Sequence, residues 1–95
     1  MYTVVEHQDF RRSYLKFVRS GKLKSRAKTE LKRVVELLRI HKPLSVRNRD
    51  HALKGEWFGY RECHIKGDLL LVYERKEDVL MLVLINIGTH SELFG

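Results

Sequence analysis

The chain has 95 residues, of which 43% are hydrophobic and 33% charged, a mixture that fits one globular domain over residues 1–95 and excludes a disordered chain. A single cysteine, Cys63, excludes an internal disulfide, and the longest uncharged apolar run, residues 79–85, is too short to span a bilayer, which takes about 20 residues. The net charge of +7 and the pI of about 9.8 favour a polyanionic partner, most commonly nucleic acid.

The first predicted elements are a strand and a helix. Residues 2–6 are rich in β-branched and aromatic side chains, which is typical of a short strand. Asp9 then predicts a helix N-cap. Apolar residues follow at helical spacing: Phe10, Tyr14, Phe17 and Val18. Ser20 and Gly21 predict the end of this helix.

A second helix is predicted from Lys24 to about His41, and Pro43 prevents its continuation. Its apolar stripe consists of Ala27, Leu31, Val34, Val35 and Leu38. At about 100° per residue, basic side chains fall beside that stripe and form a basic ridge: Lys24, Lys28, Lys32 and Arg39. Because only a few residues link the two helices, we expect them to pack as an antiparallel hairpin.

The positive charge is concentrated in the helical half of the chain. Residues 1–55 have a charge balance of +10, whereas residues 56–95 have a balance of −3. The basic ridge is therefore the predicted surface for contact with nucleic acid. The alternative is that the ridge is simply a solvated helix face.

The second half of the chain predicts a sheet. After a polar connector over residues 44–55, strands are predicted over residues 57–65, 69–74 and 79–87. The turns between them are short, so consecutive strands are antiparallel. The order β-α-α-β-β-β therefore predicts an α+β fold in which a helical hairpin packs on one face of a mainly antiparallel sheet.

Four motifs in the C-terminal half carry a resemblance to a known family. They are Asp50-His51-Ala52-Leu53-Lys54-Gly55, Arg61-Glu62-Cys63-His64-Ile65, Asp68-Leu69-Leu70-Leu71-Val72-Tyr73 and Gly88-Thr89-His90-Ser91-Glu92-Leu93-Phe94. In combination they resemble the YafQ-like mRNA interferase toxins of type II toxin–antitoxin systems, within the RelE/ParE superfamily. The helical half resembles that family in element order, length and basic charge.

The resemblance implies a function and its partners. Such toxins are cytoplasmic endoribonucleases that cut translated mRNA in the ribosomal A site without a metal or other cofactor. The 2′-hydroxyl of the RNA attacks, which leaves a 2′,3′-cyclic phosphate and a free 5′-hydroxyl. A cognate antitoxin binds and blocks the toxin. In this setting the basic ridge of Lys28, Lys32 and Arg39 is predicted to contact ribosomal RNA, and no membrane is involved.

The functional positions of the family match five residues here: His51, His64, Asp68, His90 and Phe94. The first four are the predicted catalytic residues, and Phe94 is predicted to stack on a base. The chain also departs from the family at three positions. Relatives often have Pro and Trp where this chain has Gly67 and Leu69, and a basic residue where it has Asn86.

Histidine suits this chemistry because an ordinary pKa of about 6.5 leaves both protonation states populated at neutral pH. One imidazole could take the 2′-hydroxyl proton while another protonates the leaving 5′-oxygen. Asp68 could orient an imidazole, and Arg61 could stabilise the charged transition state. However, regular strand alternation places Arg61 and His64 on opposite faces of the sheet.

Three alternatives use the same residues differently. His51, His64, His90 and Asp68 could instead hold a zinc ion, although no short His or Cys spacing supports this. A ParE-like toxin would inhibit gyrase without needing these histidines. A basic RNA-binding module would bind RNA without cutting it.

Several other chemically versatile residues are predicted to be structural. His7 and His41 are expected to be structural or exposed. Trp57 is expected to pack in the core or at the sheet edge, Glu62 to be a surface or supporting residue, and Cys63 to lie in the core.

Overall fold

The structure is a computed structural model that describes all 95 residues, and it contains three helices and five strands. The bounds, in chain order, are β1 Thr3–Glu6, α1 Gln8–Arg19, α2 Ser25–Arg39, β2 His51–Ala52, β3 Arg61–Lys66, β4 Leu69–Lys76, β5 Met81–Gly88 and α3 His90–Phe94. Two short 3₁₀ turns, Val46–Asn48 and Gly55–Trp57, shape the connector between α2 and β3.

The strands form one five-stranded sheet in the order β1-β5-β4-β3-β2. β1 pairs in parallel with β5, and the other neighbours are antiparallel. The predicted fold class, a helical hairpin on a mainly antiparallel sheet, is confirmed. Two short elements, β2 and α3, were not predicted, and each contains one of the candidate histidines.

The main core lies between the helices and one face of the sheet. α2 contributes Leu31, Val34 and Leu38, of which the last two are fully buried. Alternate strand residues complete this cluster, among them Cys63 and Ile65 of β3. Burial of a side chain such as Leu38 stabilises the fold by about 1.5–3 kcal/mol, so the apolar stripe is what fixes α2 against the sheet.

The opposite face of β3 and β4 is where the polar residues lie. Glu62 is paired with Val72 and His64 with Leu70 in the register of the two strands. Residues directly opposite one another share a face, so all four side chains lie on the face away from the main core. The register shifts between His64 and Lys66, which ends the regular pairing next to the turn.

Several predicted boundaries were wrong for local reasons. His7, not Asp9, caps α1, because the backbone N–H of Asp9 donates to His7 Nδ1 at 3.0 Å. Trp57 belongs to a 3₁₀ turn, and β3 begins only at Arg61. Val79 and Leu80 lie exposed in the turn before β5. None of the helices has the length and apolar character needed to cross a membrane.

Candidate active site

A polar groove of about 690 Å³ lies between α2, the connector and the β3–β4 turn. It is lined by Arg26 and Glu30 from α2, Arg47 and Arg49 from the connector, and residues 64–68 from the hairpin. The groove contains two of the predicted catalytic residues, His64 and Asp68. The four basic side chains around it, which include Lys66, outnumber the two carboxylates, so the groove attracts anions.

The candidate histidines His51 and His64 meet at one buried carboxylate. Glu62 Oε1 lies 3.6 Å from His51 Nε2 and 3.9 Å from His64 Nε2. The Glu62 side chain is only 7% exposed, whereas the His51 side chain is 50% exposed and that of His64 30%. When either imidazole carries a proton, Glu62 is therefore its counter-ion in a partly desolvated site.

The position of His51 is set by the connector. Its Nδ1 lies 2.6 Å from the backbone oxygen of Arg49. A carbonyl oxygen can only accept, so Nδ1 carries the proton and Nε2 is the nitrogen available for proton transfer. Arg49 itself has a φ of +47°, in the left-handed region, and this turns its carbonyl toward the ring.

The partner predicted for an imidazole was Asp68, but the carboxylate beside the imidazoles is Glu62. Asp68 is exposed at the β3–β4 turn and shares the groove with His64 without forming an ion pair with it. Glu62 was predicted to be a surface or supporting residue, and it is buried. A signal for it exists in the sequence, because Glu62 and His64 are two residues apart in a strand and so share a face.

A buried polar network underlies the groove. Asn48 is 1% exposed, and its side chain bonds to Glu30, to Arg33 and to the backbone oxygen of His64. Arg33 also donates twice to Glu30, at 2.9 and 2.8 Å. The Arg33 guanidinium is the main cause that holds the pKa of Glu30 at about 2, so this carboxylate stays ionised at neutral pH.

A second groove, of about 770 Å³, adjoins the first one. Both are lined by Arg26, Lys66, Gly67 and Asp68, and the second continues past Lys22 and Lys24 to Thr89. Thr89 is the N-cap of α3, with a reciprocal capping box between Thr89 and Glu92. Its backbone N–H donates to Glu92, which lowers the pKa of that carboxyl group. The cap therefore fixes the start of α3, where His90 lies, at the end of this second groove.

His90 and Phe94 lie on α3 among aromatic side chains. The two rings are 5.3 Å apart, and Phe94 packs edge-on against Trp57 with centroids 5.1 Å apart. Trp57 also contacts Tyr60. His90 is exposed, and no hydrogen bond or ion pair joins it to His51, His64 or Asp68. The fold thus gathers His51 and His64 closely, and carries His90 on a separate element.

Arg61 lies away from the groove. Its Nε donates to Asp50 Oδ1 at 3.3 Å and to Tyr73 Oη at 3.2 Å, and Tyr73 Oη donates to the same Asp50 oxygen at 2.5 Å. Burial acts to lower the pKa of Arg61, but these bonds to Tyr73 and Asp50 outweigh it and raise that pKa. The strand is regular from Arg61 to His64, so the two side chains lie on opposite faces. Arg61 supports the connector before His51.

Three residues of the basic ridge, Lys28, Lys32 and Arg39, lie on the flank of α2 that faces away from the polar groove, whereas Lys24 lines the second groove. Lys32 and Arg39 border an apolar depression formed with Val4, Phe10 and Tyr14 of β1 and α1. At about 100° per residue, Lys28, Lys32 and Arg39 cluster roughly 120–180° from Arg26 and Glu30. The sequence thus missed the basic residues that line the groove, which are Arg26, Arg47, Arg49 and Lys66.

The three departures from the family pattern have structural consequences. Gly67 has a φ of +58°, a conformation that the ring of proline forbids, so this turn differs from one that contains Pro. Leu69 packs against the main core. Asn86 Oδ1 accepts a 2.7 Å bond from Ser13 Oγ, so this side chain joins β5 to α1.

The remaining reactive groups are inert or dispersed. Cys63 is fully buried, as predicted, and burial raises the pKa of its thiol, so it is not an activated nucleophile. No three His, Cys, Asp or Glu side chains lie close enough together to hold a metal ion. The arrangement that the zinc alternative requires is therefore not present.

Comparison with known proteins identifies the family. Residues 2–95 match the family described as bacterial toxin of type II toxin-antitoxin system, YafQ. The chain belongs to the YafQ family. An mRNA interferase toxin YafQ from Escherichia coli K12 is 34% identical over 83 residues, which cover 86% of this chain and 88% of that protein. A YafQ toxin from Haemophilus influenzae is 62% identical over 32 residues, 34% of this chain and 31% of that protein.

Solved structures of bacterial toxins share the whole fold. A copper-bound mutant toxin from Helicobacter pylori is 38% identical, with a TM-score of 0.89 over 99% of this chain and 100% of that one. YafQ in the DinJ–YafQ complex of Escherichia coli is 27% identical, with a TM-score of 0.82 over 100% of both chains. The family and the toxin–antitoxin assignment predicted from the four motifs are confirmed.

Proposed function

We propose that the protein is a ribosome-dependent endoribonuclease that cuts translated mRNA in the ribosomal A site. One observation carries this proposal: the buried carboxylate of Glu62 holds two candidate imidazoles, those of His51 and His64, beside a groove rich in basic side chains. Paired proton-transfer groups beside an anion-binding surface are what cleavage of a phosphodiester needs.

The proposed reaction uses the RNA itself as the nucleophile. The 2′-oxygen forms a bond to phosphorus while a base removes its proton, and the bond from phosphorus to the 5′-oxygen breaks as an acid supplies a proton. The products are a 2′,3′-cyclic phosphate and a 5′-hydroxyl. We assign the acid and the base to the set formed by His51, His64 and His90. Asp68 is exposed at the junction of the two grooves, where it can accept a hydrogen bond from the ribose or from a base.

Single-stranded RNA would be bound along the two adjoining grooves. The shared residues Arg26 and Lys66 connect the polar groove beside His64 to the groove that ends at Thr89. A chain of phosphates along this track would pass both His64 and the start of α3, where His90 lies. The exposed part of Phe94 provides a ring next to His90 for stacking on a base.

The proposal also implies partners and a location. A cognate antitoxin is supported by family membership and by the DinJ–YafQ complex of Escherichia coli. Translated mRNA and the ribosome are cytoplasmic in bacteria, so we place the protein there. We assign the activity to one domain over residues 1–95, because a single sheet contains all five strands and carries the three candidate histidines in β2, in β3 and directly after β5.

The proposal is tested by His90→Ala in a cleavage assay with purified ribosomes and a short mRNA. Loss of an acid or a base is expected to lower kcat by about 10²–10⁴-fold. His41→Asn is the matched control, because the His41 ring contacts Tyr2 and lines neither groove, and its φ of +59° is one that Asn tolerates.

The chemistry and the position of the cut RNA ends test the proposal as well as the cleavage rate does. The wild type is expected to leave 2′,3′-cyclic phosphate ends at in-frame positions, and His41→Asn is expected to match it. A wild-type protein that binds RNA with salt-dependent affinity but leaves the message intact contradicts the nuclease assignment.

A further inference from the structure

The Asn48 side chain makes hydrogen bonds to three residues in two elements of the fold. Its Nδ2 donates to the backbone oxygen of His64 at 2.7 Å and to Glu30 Oε2 at 3.1 Å. Its Oδ1 accepts from Arg33 Nη2 at 3.0 Å. The side chain therefore joins the connector to α2 and to β3, inside a site that is 1% exposed.

The orientation of this amide is fixed by its partners. A backbone oxygen and a carboxylate can only accept, and a guanidinium can only donate. Nδ2 must therefore face His64 and Glu30, while Oδ1 faces Arg33. No other standard side chain of this length supplies two donors on one branch and an acceptor on the other, since aspartate would place an oxygen against two acceptors.

The amide also lies between the backbone oxygens of His64 and Arg49, which bear on the positions of His64 and His51. In one direction it binds the backbone oxygen of His64. In the other direction the next residue is Arg49, whose backbone oxygen lies 2.6 Å from His51 Nδ1. We infer that Asn48 is a positioning residue, which sets the distance between the imidazoles of His51 and His64, and that Glu30 and Arg33 hold its amide in place.

This inference rests on the proposed nuclease function and deepens it. Reacting groups must be held close to the productive geometry, and a displacement of about 1 Å can cost about 10²-fold in rate. Asn48 lies beneath the groove and does not contact substrate, so it acts through the two histidines. Its removal is thus expected to lower kcat and to leave KM nearly unchanged.

A double-mutant cycle separates positioning from simple stabilisation of the fold. Cleavage rates are measured for the wild type, Asn48→Ala, His64→Ala and the double variant. Asn48→Ala alone is expected to lower kcat about 10- to 100-fold. In the His64→Ala background it is expected to have little further effect, because the group it positions is gone. Multiplicative losses overturn the inference.

A second comparison uses two matched ion pairs of α2 and covers the case in which Asn48→Ala fails to fold. Glu30 and Glu36 each pair with an arginine three residues later, but only Glu30 also accepts from Asn48. Glu30→Gln is expected to lower kcat several-fold, and Glu36→Gln is expected to leave it unchanged. Equal rates for the two variants overturn the inference.

A measurement that needs no activity completes the test. The ¹⁵N signals of the imidazoles are followed by NMR in the wild type and in Glu30→Gln and Asn48→Ala, using the full chain. Signals of His51 and His64 are expected to move, and those of His7 and His41 to stay. Unmoved signals of His51 and His64 overturn the inference. If those signals move while the wild type cuts no RNA, the proposed function fails and the positioning role of Asn48 stands.

Discussion

The two flanks of α2 each carry a glutamate–arginine ion pair but differ in what lies beneath them. The groove flank presents Arg26, Glu30 and Arg33 toward the connector and β3, whereas the ridge flank presents Lys32 and Arg39 toward an apolar depression beside α1. The ridge is the more basic of the two in sequence, yet the candidate histidines lie on the other side. The positive charge along one helix is therefore a poor guide to the location of a site, because the groove takes most of its basic side chains, Arg47, Arg49 and Lys66, from other segments.

The two flanks also contain the same ion pair in different surroundings. Glu30–Arg33 and Glu36–Arg39 have the same spacing and nearly the same distances, 2.8 and 2.6 Å. The Glu30 side chain is 15% exposed and that of Glu36 54%. Because solvent screens the exposed pair, only the Glu30 pair is expected to matter strongly for stability.

The largest difference between the flanks is expected from alanine substitutions. Glu30→Ala removes an acceptor from Arg33 and from Asn48, so it is expected to lower the free energy of unfolding by about 2–3 kcal/mol. Glu36→Ala has the same effect on helix propensity and is expected to leave stability nearly unchanged. Urea denaturation of both variants measures this, and equal losses would show that burial does not distinguish the two pairs.

A charge reversal on each flank tests which one binds RNA. Arg26→Glu places a carboxylate in both grooves and is expected to lower kcat/KM for cleavage about tenfold, or roughly 1.4 kcal/mol. Lys32→Glu changes the net charge equally on the ridge flank and is expected to have a much smaller effect. If Lys32→Glu is the more damaging change, the ridge binds RNA as the sequence predicted.

The smallest effect is the pH dependence of stability. Folding lowers the pKa of Glu30 from 4.5 to about 2, chiefly through its bonds from Arg33. The ionised carboxylate therefore stabilises the fold above pH 4.5, and this contribution is lost as the pH falls toward 2. Denaturation across this window is expected to show a shallower pH dependence in Glu30→Gln than in Glu36→Gln. Identical slopes would contradict the assignment.

Most of the fold could be predicted because its elements follow local patterns. The apolar stripe of α2 predicts which face of the helix is buried, and the alternation of side chains does the same for β3 and β4. Pro43 indicates the end of the α2 segment, and Gly67 indicates the turn after β3. The two missed elements have no such pattern. β2 has only two residues, and α3 has five and depends on a capping box and on contacts of Phe94 with Trp57.

The candidate site was predicted less completely, because much of it depends on contacts distant in sequence. Strand alternation was sufficient to place Glu62 beside His64. Nothing local indicates that Arg49 adopts a left-handed conformation or that Asn48 reaches α2. Helical periodicity places Arg26 and Glu30 on one flank, but only the path of the connector decides which flank faces the histidines.

The parallel pairing of β1 with β5 determines when the sheet can be completed during synthesis of the chain. Residues 3–6 are hydrogen-bonded to residues 81–84, so the first strand made has no neighbour until the last strand has been synthesised. Contacts between such distant segments form late. In the nascent chain the sheet therefore stays incomplete until the ribosome has translated β5. The complete sheet can form only after β5 has left the ribosome.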